Sequence, residues 1–373
     1  MVLPVGVYRA DHVGSWLRPK SVLDARQQAA DGVITAQALR AVEDRAIEEV
    51  VARQLALGLR SVTDGEFRRA WFHLDFLEQV GGVSVTRQIT NGTPPTISVT
   101  GTLAHAKPIQ LDDFVFLQHA LEPHAAGAGA TIKVAIPSPT MAHFRGGRAG
   151  ISIDSYPDLD VFFEDLAKVY QDELDTLYAA GCRFVQLDDT NLAYLCDPKM
   201  RALAEGRNED LRTLPRTYAA LINAAISKRP HDLKIGIHLC RGNYQSQWFA
   251  QGGYEPVAEV LFTELDVDVY FLEYDDARSG DFTPLRHLPP HKVVVLGLMS
   301  SKNGALDDAA TIVQRLHEAA AVCPRGLDQL CLSHQCGFSS TVEGNKLSEE
   351  EQWAKIRLEV DIARQVWGED LSK

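Results

Sequence analysis

His238-Leu239-Cys240 sets an imidazole and a thiol two residues apart at the end of an apolar run. On a β-strand, residues two apart share a face, so both groups can aim at one point, and both are good zinc ligands. Glu273 ends the next apolar run and Cys336 follows the last. Two thiolates, one imidazole and one carboxylate suit tetrahedral zinc far better than magnesium or calcium, which prefer oxygen. Each residue alone has a plainer reading, since buried cysteines pack as small apolar side chains and a lone histidine is usually structural. The spacing is not of zinc-finger type. The zinc reading therefore depends on elements that bring strand ends together.

Other strand-end groups are His12-Val13-Gly14-Ser15, Asp64-Gly65-Glu66, Ser138, Asp188-Asp189, Lys302 and His334. Glu66 stands after a flexible glycine and before Phe67-Arg68-Arg69, more chemistry than a turn needs. Asp188 and Asp189 read either as substrate contacts or as caps of a following helix. His12, Arg18 and His334 are weaker candidates, and Lys302 by itself reads as a solvated loop charge. Cys182, Cys196, Cys323 and Cys331 read as packing residues.

The elements that must position these groups follow from periodicity. Eight apolar or β-branched runs lie near residues 7–13, 59–63, 131–136, 183–187, 233–238, 268–273, 292–297 and 329–333, each followed by a helix candidate. Alternating βα units favour a parallel sheet, and eight of them favour one closed (β/α)8 TIM barrel, because an open sheet would leave two edges to protect. Catalytic groups of such barrels stand at the C-terminal strand ends, so all the residues above share one mouth. Leu39, Val42, Ala46 and Val50 mark the first long helix. Ser348 and Glu351 form a capping box for the last, with a stripe of Trp353, Ile356, Val360 and Ala363. A β-hairpin is inserted after the second strand over about residues 82–106, its turn near Asn91-Gly92. The whole chain, 1–373, reads as a single domain.

The composition narrows the class. With 37 Lys+Arg against 50 Asp+Glu the formal net charge is −13, which opposes nucleic acid and anionic membranes. At 45% hydrophobic residues and 23% charged the chain is globular. The N-terminus lacks a secretory pattern, no apolar run is long enough to span a bilayer, and six cysteines without framework spacing read as reduced thiols. The expectation is a cytoplasmic protein, and a homo-oligomer is compatible with it.

The motifs His12-Val13-Gly14-Ser15, Val62-Thr63-Asp64-Gly65-Glu66, Gln186-Leu187-Asp188-Asp189, His238-Leu239-Cys240-Arg241-Gly242-Asn243, Leu272-Glu273-Tyr274-Asp275-Asp276 and Gln335-Cys336-Gly337-Phe338 together resemble the cobalamin-independent methionine synthase family, in its C-terminal catalytic barrel. The resemblance covers essentially the whole chain. It implies that His238, Cys240, Glu273 and Cys336 are the zinc ligands, and that Ser15, Glu66 and Asp188 surround the amino-acid end of homocysteine, with the carboxylates on its ammonium group. Arg18 is placed with this substrate group. Lys302 falls near the family's proton-donating histidine and joins Asp188 as a catalytic candidate. The implied reaction is methyl transfer from a methyltetrahydrofolate-type donor to homocysteine, giving methionine. A free thiol with a pKa of ~8.5 is mostly protonated at neutral pH, and zinc coordination ionises it for attack.

Two features differ from the family pattern. The N-terminal barrel of full-length members has no counterpart, so the chain is expected to be a lone catalytic half. After the third strand the sequence is Ile136-Pro137-Ser138-Pro139-Thr140-Met141, without the family's pterin-stacking tryptophan. The altered donor side keeps a second reading open: a related enzyme with another thiol or electrophile, such as an epoxyalkane:coenzyme M transferase, in which Arg18, Arg68 and Arg241 would face a sulfonate. The third reading is a non-catalytic barrel with structural zinc.

Overall fold

The computed structural model describes residues 2–86, 96–125 and 129–372. Its strands are β1 (Ser61–Val62), β2 (Gly81–Thr86), β3 (Thr96–Ala104), β4 (Thr131–Ile132), β5 (Val134–Pro137), β6 (Phe184–Asp189), β7 (Lys234–Leu239), β8 (Val269–Glu273), β9 (Val293–Met299) and β10 (Leu330–His334). The fold is mixed α/β around a parallel sheet. Six strands pair in the order β5–β6–β7–β8–β9–β10, and apart from Lys234 every residue in them is buried. Continuous burial explains their apolar runs, since a parallel sheet is covered on both faces.

Two further pairings extend this order. β4 continues into β5 through Lys133 and pairs in parallel with β1, while Ala10 makes a parallel bridge to Leu332 of β10. Where a strand is expected over residues 7–13, this single bridge is what forms. The Asp11 carboxylate explains the difference: it takes the backbone N–H groups of Tyr8 (3.3 Å) and His12 (2.8 Å), which are then lost to a ladder. Residues 12–16 meet the β1 region through other bonds. His12 Nε2 pairs with the Ser61 carbonyl (2.8 Å), Thr63 Oγ1 donates to the Gly14 carbonyl (2.6 Å), and Trp16 N–H donates to the Gly65 carbonyl (3.1 Å).

The long helices cover the sheet as their caps direct. Ala36–Leu57 starts where Thr35 Oγ1 accepts from Ala38 N–H and ends at Gly58, with φ 99°. Ala46, Ile47, Val50, Val51 and Gln54 form its buried stripe, whereas Leu39 and Val42 are half-buried. Glu349–Trp367 carries the expected capping box and buries Trp353, Ile356, Val360 and Ala363. Helices expected after β7 and β8 are instead short 3-10 turns and one π turn, Val260–Glu264. Gly252, Gly253 and Pro256 interrupt the first connection, and Gly280, Pro284, Pro289 and Pro290 the second. Glycine raises the entropic cost of a helix, and proline removes a donor and clashes with the preceding turn.

The hairpin forms as read: β2 and β3 pair antiparallel with Val83 opposite Val99 and Val85 opposite Ile97. Its turn at Asn91-Gly92 lies outside the described residues. On one face of the sheet, Leu3, Val7, Phe184, Val269, Phe271, Val293, Val295 and Cys331 form a small apolar cluster. Phe184, Val269 and Val293 begin their strands, so this plug fills the N-terminal end and leaves the opposite end for polar groups. Among the described residues no helix is long and apolar enough to cross a membrane.

Candidate metal centre and substrate pocket

Strand register assembles the centre. Asp188 pairs with His238, and Leu239 with Leu272, so Cys240, one step beyond β7, comes level with Glu273. Cys336 arrives from the turn after β10, which approaches closely because residue 297 is glycine. A Cβ there would lie 2.5 Å from Gln335 Cα. His238, Cys240 and Cys336 are buried, and their ligand atoms lie within 4.8 Å of one another. Both ring nitrogens of His238 are buried without a hydrogen-bond partner. Leaving a buried polar atom unpaired costs ~1–3 kcal/mol, so an imidazole with two such atoms is incomplete on its own. Hydrogen bonding from the Cys240 thiol, with help from His238, holds the Cys336 thiol well below its ordinary range against the effect of burial. An N,S,S donor set of this kind fits zinc.

Glu273 stands beside this trio and is held by protein donors. Its Oε2 accepts from Arg241 N–H (2.6 Å). Its Oε1 accepts from the Arg278 guanidinium and faces Lys302 Nζ at 3.5 Å. Lys302 also pairs with Asp275 Oδ2 at 3.1 Å, so the ammonium is buried between two carboxylates.

A second set of polar groups adjoins the trio. Glu66 has φ 59°, which a residue other than glycine rarely adopts, and the turn is held by Asp64 Oδ1 accepting from Glu66 N–H (2.9 Å). Such backbone strain persists where the surroundings over-determine it, commonly at functional sites. The turn sends the carboxylate inward: Glu66 Oε2 is buried without a hydrogen bond, and Arg69 Nη1 lies 3.8 Å away. Burial pushes the Glu66 carboxyl up to about 7, with Arg69 opposing and Asp188 adding to the shift. Burial likewise pushes Asp188 up to about 6, opposed chiefly by His238. Gln186 Nε2 donates both to Asp188 Oδ1 (2.8 Å) and to the Val13 carbonyl (2.6 Å), tying this carboxylate to the Gly14-Ser15 segment. A small cavity beside Glu66 is lined by Gly14, Thr63, Arg69 and Ala135.

Ser15 and Arg18 join the walls. Ser15 Oγ accepts from Ser339 N–H (3.3 Å), and a side chain at Gly337 would collide with that oxygen. Arg18 donates to the carbonyls of Glu66, Arg69, Ser339 and Thr341, at 2.8, 2.7, 3.1 and 3.1 Å. It thus clamps the turn carrying Glu66 to the turn that follows Cys336.

The remaining candidates are structural. Asp189 caps a short helix by accepting from Leu192 N–H (2.9 Å). Burial pushes the thiols of Cys182, Cys196, Cys323 and Cys331 up to about 12, as expected for packing residues. His12 and His334 are buried, paired with the Ser61 carbonyl and with Glu359 (2.6 Å). Two residues at the site escaped the sequence reading. Arg69 was visible only as one of two bases after Glu66, and Arg278 offered no signal beyond lying five residues after Glu273.

Comparison with known proteins gives the chain's family. A family profile described as "Cobalamin-independent synthase, Catalytic domain" spans residues 9–365. The Bacillus subtilis protein named "Uncharacterized protein YxjH" is 45% identical over 368 residues, covering 96% of this chain and 95% of that one. A Listeria monocytogenes crystal structure, described provisionally as a vitamin-B12-independent methionine synthase, is 39% identical with a TM-score of 0.78, covering 99% of this chain and 100% of that one. A B12-independent methionine synthase from Shewanella sp. W3-18-1, solved with selenomethionine, shares the fold at 18% identity and a TM-score of 0.70, covering 98% of each chain. By the extent of the profile and by these relatives, the chain belongs to the cobalamin-independent synthase family, as a catalytic domain of that family.

Proposed function

We propose that this protein is a zinc-dependent methyltransferase, acting in methionine formation by moving a methyl group from a methyltetrahydrofolate-type donor to the sulfur of homocysteine. The carrying observation is the adjacency of two incomplete sets of groups. His238, Cys240 and Cys336 leave one position of a tetrahedral site to an exchangeable ligand, and the buried Glu66 Oε2, near Asp188, has no hydrogen-bond donor. An α-amino acid that ends in a thiol offers both. The scaffold in this reading is one domain, 1–373, built as a closed (β/α)8 barrel. The neighbour order from Ala10 through β10 to β1 supports it.

His238, Cys240, Cys336 and Glu273 would hold the metal. Zinc bound there supplies a Lewis acid that lowers the pKa of a coordinated thiol and so presents sulfur as a nucleophile at neutral pH. The chain's own residues do the rest. Glu66 and Asp188 fix the substrate ammonium, and an incoming cation would offset the burial that raises both carboxyls. Ser15 and the Gly14 backbone border the place of the substrate carboxylate. Lys302 delivers the proton that a nitrogen leaving group requires. The buried floor of the mouth excludes water.

A sulfonate-bearing thiol is disfavoured by the arginines that would read it. Arg18 and Arg241 are spent on backbone carbonyls, and Arg68 pairs with Asp44 (2.6 Å) and Asp113 (2.9 Å). A structural zinc site is closed by four permanent ligands, whereas here Glu273, which Arg241 and Arg278 also hold, is the ligand that yields when sulfur binds. The test is methionine formation by zinc-loaded protein from homocysteine and a panel of methyl donors, including mono- and polyglutamyl folates. Zinc-dependent methionine with at least one donor is expected. No methionine with any donor, or activity that persists in His238→Ala, overturns the reading.

A further inference from the structure

Of the described phenylalanines, tyrosines and tryptophans, the exposed ones are Tyr244 (46%), Trp248 (52%) and Phe249 (65%), and all stand in the loop that follows Cys240. Large apolar rings exposed side by side are unusual on a protein surface and mark a place where something binds. The loop holds them rigidly. Tyr244 and Gln247 exchange backbone hydrogen bonds (3.0 and 2.9 Å) around Gln245 and Ser246, whose φ values of 48° and 70° favour glycine or asparagine. Asn345 Oδ1 accepts from Ser246 N–H (3.1 Å), Ser246 Oγ from Lys346 N–H (2.8 Å), and the Arg241 carbonyl from Phe249 N–H (2.8 Å). The strained turn is thus over-determined by its surroundings. The rings border the metal centre. One side of the Trp248 indole covers the Arg278 guanidinium at 4.7 Å, and that guanidinium reaches Glu273. Tyr244 stacks on Trp71 (6.0 Å, 14° between planes), while Asn243 Nδ2 donates to the Gly337 carbonyl (3.0 Å), next to Cys336. Phe249 lies against Tyr194 (5.5 Å). Arg145 joins the same rim: it is exposed, has no ion pair among the described residues, and sits by the Tyr194 hydroxyl, where it opposes the rise that burial imposes on that phenol. The segment after β5 offers no such face, since Phe144 is 3% exposed.

We propose that Trp248, flanked by Tyr244 and Phe249, is the stacking face for the planar ring of the methyl donor, and that Arg145 receives the donor's anionic tail. This rests on the methyl-transfer reading above and names the residues that select its donor. An indole already immobilised on a guanidinium loses little freedom when a second flat ring stacks on its open side, so the contact adds affinity at low entropic cost. Charge decides between donor classes. A carboxylate-bearing donor approaches a chain of net charge −13, and an unpaired cation at the rim draws its tail to one place. A cationic donor could also sit on an aromatic face, but here Arg278 under the indole and Arg145 beside it both repel it.

The experiment measures, by calorimetry on zinc-loaded protein, the binding of 5-methyltetrahydrofolate with one or three glutamates and of trimethylsulfonium, and in parallel the KM of each folate in methionine formation. The variants are Trp248→Ala, Trp248→Phe and Arg145→Gln. Trp248→Ala should weaken folate binding about 10- to 100-fold, the range of base–aromatic stacking, with zinc content and homocysteine affinity unmoved, and Trp248→Phe should recover most of the loss. Arg145→Gln should cost more with the triglutamate than with the monoglutamate, a difference that high salt should erase. A Trp248 that merely packs on Arg278 would instead shift zinc content and homocysteine affinity. Should Trp248→Ala not fold, Phe249→Ala is expected to weaken folate binding by a smaller factor. Unchanged folate affinity in Trp248→Ala, or tighter binding of trimethylsulfonium than of either folate by the wild type, overturns the proposal. Folate binding that depends on Trp248 but yields no methionine would count against the methyl-transfer reading and leave the stacking face supported. Equal methionine formation from folate by wild type and Trp248→Ala would do the reverse, and a wild type that binds neither folate overturns both.

Discussion

Lys133 and Asp11 have fully buried side chains, and their ionic groups are partnered: Lys133 Nζ reaches Asp11 Oδ1 at 2.6 Å and the His12 carbonyl at 2.5 Å. Asp11 takes two backbone N–H groups as well. His238 and Glu66, at the C-terminal strand ends, are buried to a similar degree, but His238 has two unpartnered nitrogens and Glu66 one unpartnered oxygen. A buried ion pair whose donors and acceptors are filled belongs to the architecture. Buried polar groups left open cost ~1–3 kcal/mol each, and that cost persists in a native fold where something else completes them.

Substitutions can break this contrast. Cys336→Ser or His238→Ala should remove zinc and lower methyl transfer by roughly a thousandfold, since metal catalysis supplies several kcal/mol. The urea midpoint of the zinc-free protein should move little. Lys133→Ala should do the reverse, costing about 3–5 kcal/mol of stability through an unpaired buried Asp11, with zinc stoichiometry of the folded fraction unchanged. Urea denaturation and metal analysis of the same preparations read both. If Lys133→Ala loses zinc while its fold survives, the two regions are not separate.

Glu66 sharpens the contrast through pH. Glu66→Gln should raise the KM for homocysteine about 10- to 100-fold, the value of a lost charged hydrogen bond of ~1.5–3 kcal/mol, with less effect on kcat. In the wild type the ligand-free carboxyl, raised to about 7, protonates as pH falls from 8 to 6, so homocysteine affinity should weaken over that interval. Glu66→Gln should flatten the response. The same shift has a stability sign. Its folded pKa lies above the ordinary 4.5, so the unfolded chain releases this proton first, and the ligand-free fold loses stability as pH rises from about 4.5 to 7. Glu66→Gln should abolish that loss in a series of thermal melts. Smaller still, Gly337→Ala should cost about 1–3 kcal/mol by overpacking against Ser15, with a modest rise in KM.

Much of this was legible in the sequence, for local reasons. The strands near 131–136, 183–187, 233–238, 268–273, 292–297 and 329–333, the hairpin of Val83-Ser84-Val85 with Ile97-Ser98-Val99, the Ser348–Glu351 box and the His-x-Cys pair depend on periods of two or 3.6 residues and on caps, which short stretches of sequence encode. The misses share a different cause. Residues 7–13 pair by one bridge because the Asp11 side chain competes for backbone donors, and the connections after β7 and β8 lose their helices to glycine and proline. The hold of Arg278 on Glu273, and that of Arg18 on two turns, depend on where long guanidinium side chains end. Loop geometry decides that, and residue spacing does not reveal it.

The central claim, that a substrate sulfur completes the His238–Cys240–Cys336 centre, is tested most directly by zinc-edge X-ray absorption of the loaded protein with and without homocysteine. Two sulfur scatterers from Cys240 and Cys336 should become three when homocysteine is added. An unchanged sulfur count at saturating homocysteine would contradict the claim.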